Sequence, residues 1–94
     1  MKTKLIMEKF DFIVYKEDNV FMIECSNYKY IHTFAEKYEE IHKMAIDISE
    51  LMTDNQTRLF KRNRKIKQNN IIETFSVIVN KKTNKGRVLV SEKV

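Results

Sequence analysis

The sequence predicts an α+β fold, an antiparallel sheet of about five strands with one amphipathic helix packed on it, in the order β-β-β-α-β-β. Three observations carry this expectation. Apolar residues alternate with period two in the first part of the chain, recur at helical spacing in the middle, and crowd into β-rich runs near the end. A chain of 94 residues holds one domain, here with an acidic front half, 1–57, and a basic, β-rich back half, 58–94.

Glu8 to Lys16 alternates strictly, with Phe10, Phe12 and Val14 on one face and Asp11, Ile13 and Tyr15 on the other. Val20 to Cys25 repeats the pattern, and Glu17-Asp18-Asn19 supplies a turn from residues that tolerate left-handed backbone, so the two runs predict a β-hairpin. After Ser26-Asn27, Tyr28 to His32 reads as a short third strand. Thr33 with Glu36 three residues later has the form of a capping box, which predicts a helix from residue 34 to 52. Phe34, Tyr38, Ile41, Ala45, Ile48 and Met52 fall on one face of it, widened by Met44 and Leu51. Lys37, Glu39, Glu40, Lys43, Asp47 and Glu50 occupy the other face.

Gln56 to Arg62 reads as a further strand carrying Leu59 and Phe60. Ile71 to Asn80 is the most β-rich run, Lys81 to Gly86 a turn, and Arg87 to Ser91 a last strand. Proline is absent and Gly86 is the only glycine, so Asn, Asp and Lys must make the turns. Phe75 is expected in the core.

Charge is distributed unevenly. Residues 1–57 hold seven Lys/Arg against eleven Asp/Glu, a charge of −4, and residues 58–94 hold eleven against two, a charge of +9. Such a field steers anionic partners to one part of the molecule. The densest run is Arg58, Lys61, Arg62, Arg64, Lys65 and Lys67, with a second cluster in Lys81, Lys82, Lys85 and Arg87. Phe60 sits inside the first run, where a ring can stack a base beside phosphate contacts. These eleven residues form the candidate nucleic-acid-binding set, and Arg62, Arg64 and Lys65 are expected to be solvated. A charge run also serves as a solvated surface that guards sheet edges.

The same residues speak against catalysis. One glycine cannot build a phosphate-binding loop. His32 and His42 stand apart, with no Cys or carboxylate at ligand spacing around them, so no metal or other cofactor is expected and both histidines are assigned structural roles. Cys25, the single cysteine, reads as a small core residue and favours a reducing compartment. The opening Met1-Lys2-Thr3-Lys4 and the absence of any run near ~18 apolar residues predict a cytoplasmic protein without membrane contact.

Residues 10–52 resemble the amino-terminal domain of HicB-type antitoxins. The matching pieces are Phe12-Ile13-Val14-Tyr15-Lys16, Val20-Phe21-Met22-Ile23-Glu24, Tyr30-Ile31-His32-Thr33, and the helix from Ala35 to Met52 with Glu36, Ala45, Ile46 and Leu51. The resemblance covers under half the chain and implies a hairpin-plus-helix fold and toxin neutralisation. Two departures stand beside it: Cys25-Ser26-Asn27 replaces a loop that bears Gly or Pro in the family, and residues 58–94 hold no ribbon-helix-helix or helix-turn-helix reader.

Together these features predict a non-enzymatic, antitoxin-like regulatory protein that binds DNA or RNA through its basic half. The alternative is a phage-encoded inhibitor that binds and blocks a host nucleic-acid-handling or defence complex; the expected partners are nucleic acid, a protein such as a toxin or a host nucleoprotein, or both. A homodimer is expected, since so small a chain cannot cover its own sheet edges.

Overall fold

The computed structural model describes residues 6–54, 58–63 and 66–93, the last four as backbone. It contains one five-stranded antiparallel sheet with one helix packed on it. The strands are β1 (Met7–Glu17), β2 (Val20–Cys25), β3 (His32–Ala35), β4 (Ile71–Asn80) and β5 (Lys85–Lys93), in the spatial order β3-β2-β1-β4-β5. The helix α1 (Ile41–Asp54) follows a single 3-10 turn, Tyr38–Glu40.

The first hairpin forms where the alternation places it. Glu17 pairs with Val20, so the loop is Asp18-Asn19, with φ of 49° and 67°. Left-handed backbone at both central residues suits the twist of the flanking strands, and Asp and Asn adopt it at lower cost than other non-glycine residues. β1 is the central strand, paired with β2 on one side and β4 on the other. The register aligns Phe10 with Val77, Phe12 with Phe75 and Val14 with Glu73.

Those residues line the face beneath α1. Phe10, Phe12, Val14, Ile23, Cys25, Ala35, Phe75, Val77 and Val79 pack against Ile41 and Ala45 in a single core. Each large side chain so buried contributes roughly 1.5–3 kcal/mol before entropy is counted. Ile48, Met44 and Met52 flank this contact, as the helical periodicity predicts, whereas Leu51 is exposed. The helix meets β5 at Gly86. A Cβ there would stand 3.2 Å from Val79 and 3.4 Å from Ile46, and the Gly86 N–H donates to Glu50 Oε2 at 2.7 Å.

Four sequence expectations are corrected. The third strand is His32–Ala35, not Tyr28 to His32, and the Thr33–Glu36 capping box does not form. Thr33 pairs with Ile23 and Phe34 with Met22, because the open edge of β2 offers backbone hydrogen bonds that outweigh a local helix-start signal. This puts Ala35 in the core and leaves Phe34 about half exposed, so the helical stripe starts later than expected. Of the strand expected at Gln56 to Arg62, residues 58–62 form an irregular segment with one isolated bridge, Lys61 to Tyr28; Gln56 and Thr57 lie outside the described residues. The last strand runs longer than Arg87 to Ser91, since Lys85 and Gly86 already pair with Asn80 and Val79.

No helix among the described residues is long and apolar enough to cross a membrane.

Candidate nucleic-acid interface

The registers turn a charge split along the chain into a charge split in space. At one end of β1, Met7 lies beside Asn80, which in turn lies beside Lys85; at the other end is the turn with Asp18. Eleven residues at ~3.3 Å each separate these ends by about 35 Å, in a molecule 48 Å long. Glu17, Asp18 and Glu36 gather at the hairpin end, since Ala35 pairs with Phe21. The β4–β5 turn, with Lys81, Lys82 and Lys85, occupies the opposite end.

The first basic segment joins that basic end through one side chain. β2 stops at Cys25, and beyond it Asn27 occupies the exposed edge of β1. Its Oδ1 accepts from the Asp11 N–H at 2.9 Å and from the Cys25 thiol at 3.0 Å, while its Nδ2 donates to the Lys9 carbonyl at 2.9 Å. The side chain thereby makes the two bonds a neighbouring backbone would make. The Ser26 N–H adds a third bond to β1, donating to the Asp11 carbonyl at 2.7 Å. With residues 26–29 so anchored, the segment after α1 pairs with them: the Lys29 N–H donates to the Phe60 carbonyl at 2.7 Å, and the Arg62 N–H to the Asn27 carbonyl at 3.1 Å.

This small ladder presents two rings to water. Tyr30 is 77% exposed and Phe60 45%, and they meet edge to face with centroids 6.0 Å apart. The Arg58 guanidinium lies over the Phe60 ring at 5.2 Å. Tyr30 has φ of 68°, a left-handed backbone that costs a bulky residue about 1–2 kcal/mol.

The remaining predicted residues divide. Lys61 and Lys67 are exposed, as are Lys82, Lys85 and Arg87, and among the described residues none of these five makes a salt bridge. Lys81 pairs with Glu8 at 3.5 Å. Arg62 departs from the expectation of a solvated side chain: it is 22% exposed and pairs with Glu24 at 3.5 Å. Its Nε is buried and, among the described residues, has no hydrogen-bond partner. Arg62 therefore works as a structural latch between the segment and β2, drawn in because Glu24 lies on the face of the sheet opposite α1. Arg64 and Lys65 lie outside the described residues.

Two grooves border the ladder. One, of about 810 Å³, lies between Lys9, Asp11 and Ile13 of β1 and the segment carrying Lys61, Arg62 and Ile66. The other, of about 440 Å³, places Leu59 beside Lys81 and Lys82, so the two basic clusters of the sequence share one wall. Glu8 stands between them, accepting from the Tyr28 hydroxyl at 2.5 Å. Burial first, then this bond to Glu8, pushes the Tyr28 phenol up to about 12. Burial likewise pushes the Cys25 thiol up to about 11, which suits a core residue.

A second polar cluster escaped the sequence reading. Glu73, in β4, is fully buried and accepts from the Tyr38 hydroxyl at 2.5 Å; its other oxygen lies 2.5 Å from His42 Nε2. The His42 ring stands edge-on to Phe75 at 4.7 Å. The available signal was a lone acid at a core-facing position of the most β-rich run. Tyr30 and Asn27 were also missed; the alternation of aromatics around Lys29 in Tyr28-Lys29-Tyr30 was the only hint of the first. Among the described residues no three His, Cys, Asp or Glu side chains come together in a group able to hold a metal ion.

No family model, curated protein or solved structure matches this chain.

Proposed function

We propose that this chain is a non-enzymatic nucleic-acid-binding protein that works through its basic end. The observation that carries the reading is the segregation of Arg58, Lys61, Lys82, Lys85 and Arg87 at the end of the sheet away from the acidic hairpin tip. Cations without carboxylate partners are free to displace the counterions of a phosphate backbone, and that release supplies most of non-specific affinity. The acidic tip orients the molecule by turning away from the polyanion. An antitoxin-like regulator fits this arrangement, with the acidic end left to hold a toxin.

A second reading, an inhibitor that docks on a host nucleoprotein, is favoured by a different observation. Phe34 and Tyr38 are 52% and 39% exposed beside the acidic residues Glu36, Glu39 and Glu40, which together suit a basic protein surface. Both readings fit a cytoplasmic homodimer, since β3 and β5 are the edge strands of the sheet among the described residues.

Binding of labelled DNA and RNA oligomers across a salt series tests the first reading. Log affinity should fall by about 0.7–0.9 per phosphate neutralised for each unit of log salt. Lys61→Ala with Lys67→Ala should flatten that slope on every sequence, since both side chains are exposed. Failure of all oligomers to bind at about 50 mM salt would sink the reading and leave the docking alternative.

A further inference from the structure

We infer that the Tyr30–Phe60 pair is a stacking site for an unpaired base, so that the nucleic acid bound at the basic end is single-stranded. The inference rests on the reading above and specifies the form of its ligand.

Neither Tyr30 nor Phe60 joins the core cluster, and among the described residues Tyr30 is the most exposed of the large apolar side chains, at 77%. Yet both are fixed. The Phe60 carbonyl accepts from Lys29, the residue before Tyr30, and the Cys25 N–H donates to the Ile31 carbonyl at 2.9 Å, closing the loop that carries Tyr30. Tyr30 holds its left-handed backbone inside this double anchorage. A ring kept in water on a pinned and strained backbone serves something outside the fold.

The geometry then selects the ligand. Rings 6.0 Å apart at 77° form a corner, in which a flat group stacks on one face and meets the other ring with its edge. Arg58 lies over the Phe60 ring and adds a positive charge to the corner. Lys29 and Lys61 flank the rings along the chain, so the corner is bordered by positive charge on both strands of the ladder. Flat aromatic groups carried on a regularly spaced anion describe a nucleic acid, and a duplex hides its base faces while a single strand exposes them. Stacking of this kind tolerates any base, because each has a π face.

The test uses the full chain with fluorescence anisotropy on four probes: single-stranded oligothymidylate, oligoadenylate, a duplex of the two, and an abasic strand of equal length. Single strands should bind more tightly than duplex, and the abasic strand should lose roughly 5- to 150-fold, as for one stacked base. Phe60→Leu and Tyr30→Asn, the latter chosen because Asn tolerates left-handed backbone, should each weaken single-strand binding by ~5-fold or more and leave duplex binding within about twofold. If the duplex binds as tightly as the single strands, or if the abasic strand binds as well as oligothymidylate, the stacking site is refuted while the nucleic-acid reading stands. The abasic comparison needs only the parent protein, so a variant that misfolds does not blunt it. Binding to none of the probes at low salt refutes the broader reading and this inference with it.

Discussion

Replacing Asn27 by Ala removes three hydrogen bonds at once, to the Asp11 N–H, the Lys9 carbonyl and the Cys25 thiol. Each bond of this kind contributes about 0.5–1.5 kcal/mol net, so the expected loss is about 2–4 kcal/mol. A small domain has only ~5–15 kcal/mol in total, which makes this a large fraction. With a urea slope of about 1–1.5 kcal/mol per molar, the unfolding midpoint should fall by about 2 M. Asn27→Asp divides the effect. Its oxygens still accept from Asp11 and Cys25, but an oxygen now faces the Lys9 carbonyl where a donor stood, so it should lose about 1–2 kcal/mol. Urea unfolding followed by far-ultraviolet circular dichroism and by tyrosine emission measures both, there being no tryptophan. An Asn27→Ala midpoint within about 0.3 M of the parent would mean that water replaces these bonds and that the side chain does not hold the loop. Equal loss in the Asp and Ala variants would refute the role given to Oδ1.

Glu73→Ala should cost about 2–4 kcal/mol, since it removes the acceptor for Tyr38 and His42 and opens a hole beside Phe75, while Glu73→Gln keeps the volume and should cost less than about 2 kcal/mol; thermal unfolding of both decides, and an Ala variant as stable as the parent contradicts the assignment. Alkaline stability follows from the raised Cys25 and Tyr28 groups. A thiol with an ordinary value of 9.0 and a folded value of about 11 keeps its proton longer when folded, so its contribution is complete below about 9 and is lost as pH rises towards 11. Tyr28 acts in the same sense between 10.0 and about 12. Urea midpoints should therefore decline from about pH 9 upwards, and Cys25→Ala with Tyr28→Phe should flatten the decline; parallel curves for parent and double variant would remove the explanation.

Much of the fold was legible because its signals are local. The alternation of Phe10, Phe12 and Val14, the Asp18-Asn19 turn and the Ile71–Asn80 run each state their structure within a few residues. Thr33-Phe34 misled because a cap and an edge strand ask for the same residues, and only the vacancy beside β2 decides between them. The site was legible as charge and illegible as shape. Arg58, Phe60 and Lys61 could be named from composition, but Tyr30 becomes their neighbour through bonds made by Asn27, across a gap that no periodicity reports. Arg62 was misjudged for the same reason: its partner Glu24 comes from the other half of the chain.

The central position of β1 also orders the events of folding. Its pairing with β2 closes a two-residue loop and can form early, as can the β4–β5 hairpin. Its pairing with β4 joins residues as far apart as Asp11 and Ser76, 65 positions along the chain, and must meet the entropy of closing that loop before any of its bonds are gained. The seam between the two hairpins is thus the slow step, and a chain of this contact pattern folds more slowly than a helical bundle of equal size. The ladder that unites Tyr30 with Phe60 closes a shorter loop, and its backbone bonds involve neither β4 nor β5. A nascent chain therefore holds every residue of the aromatic corner before β4 and β5 are made, and ring-dependent capture of a ligand becomes a kinetic reporter of assembly that precedes the seam.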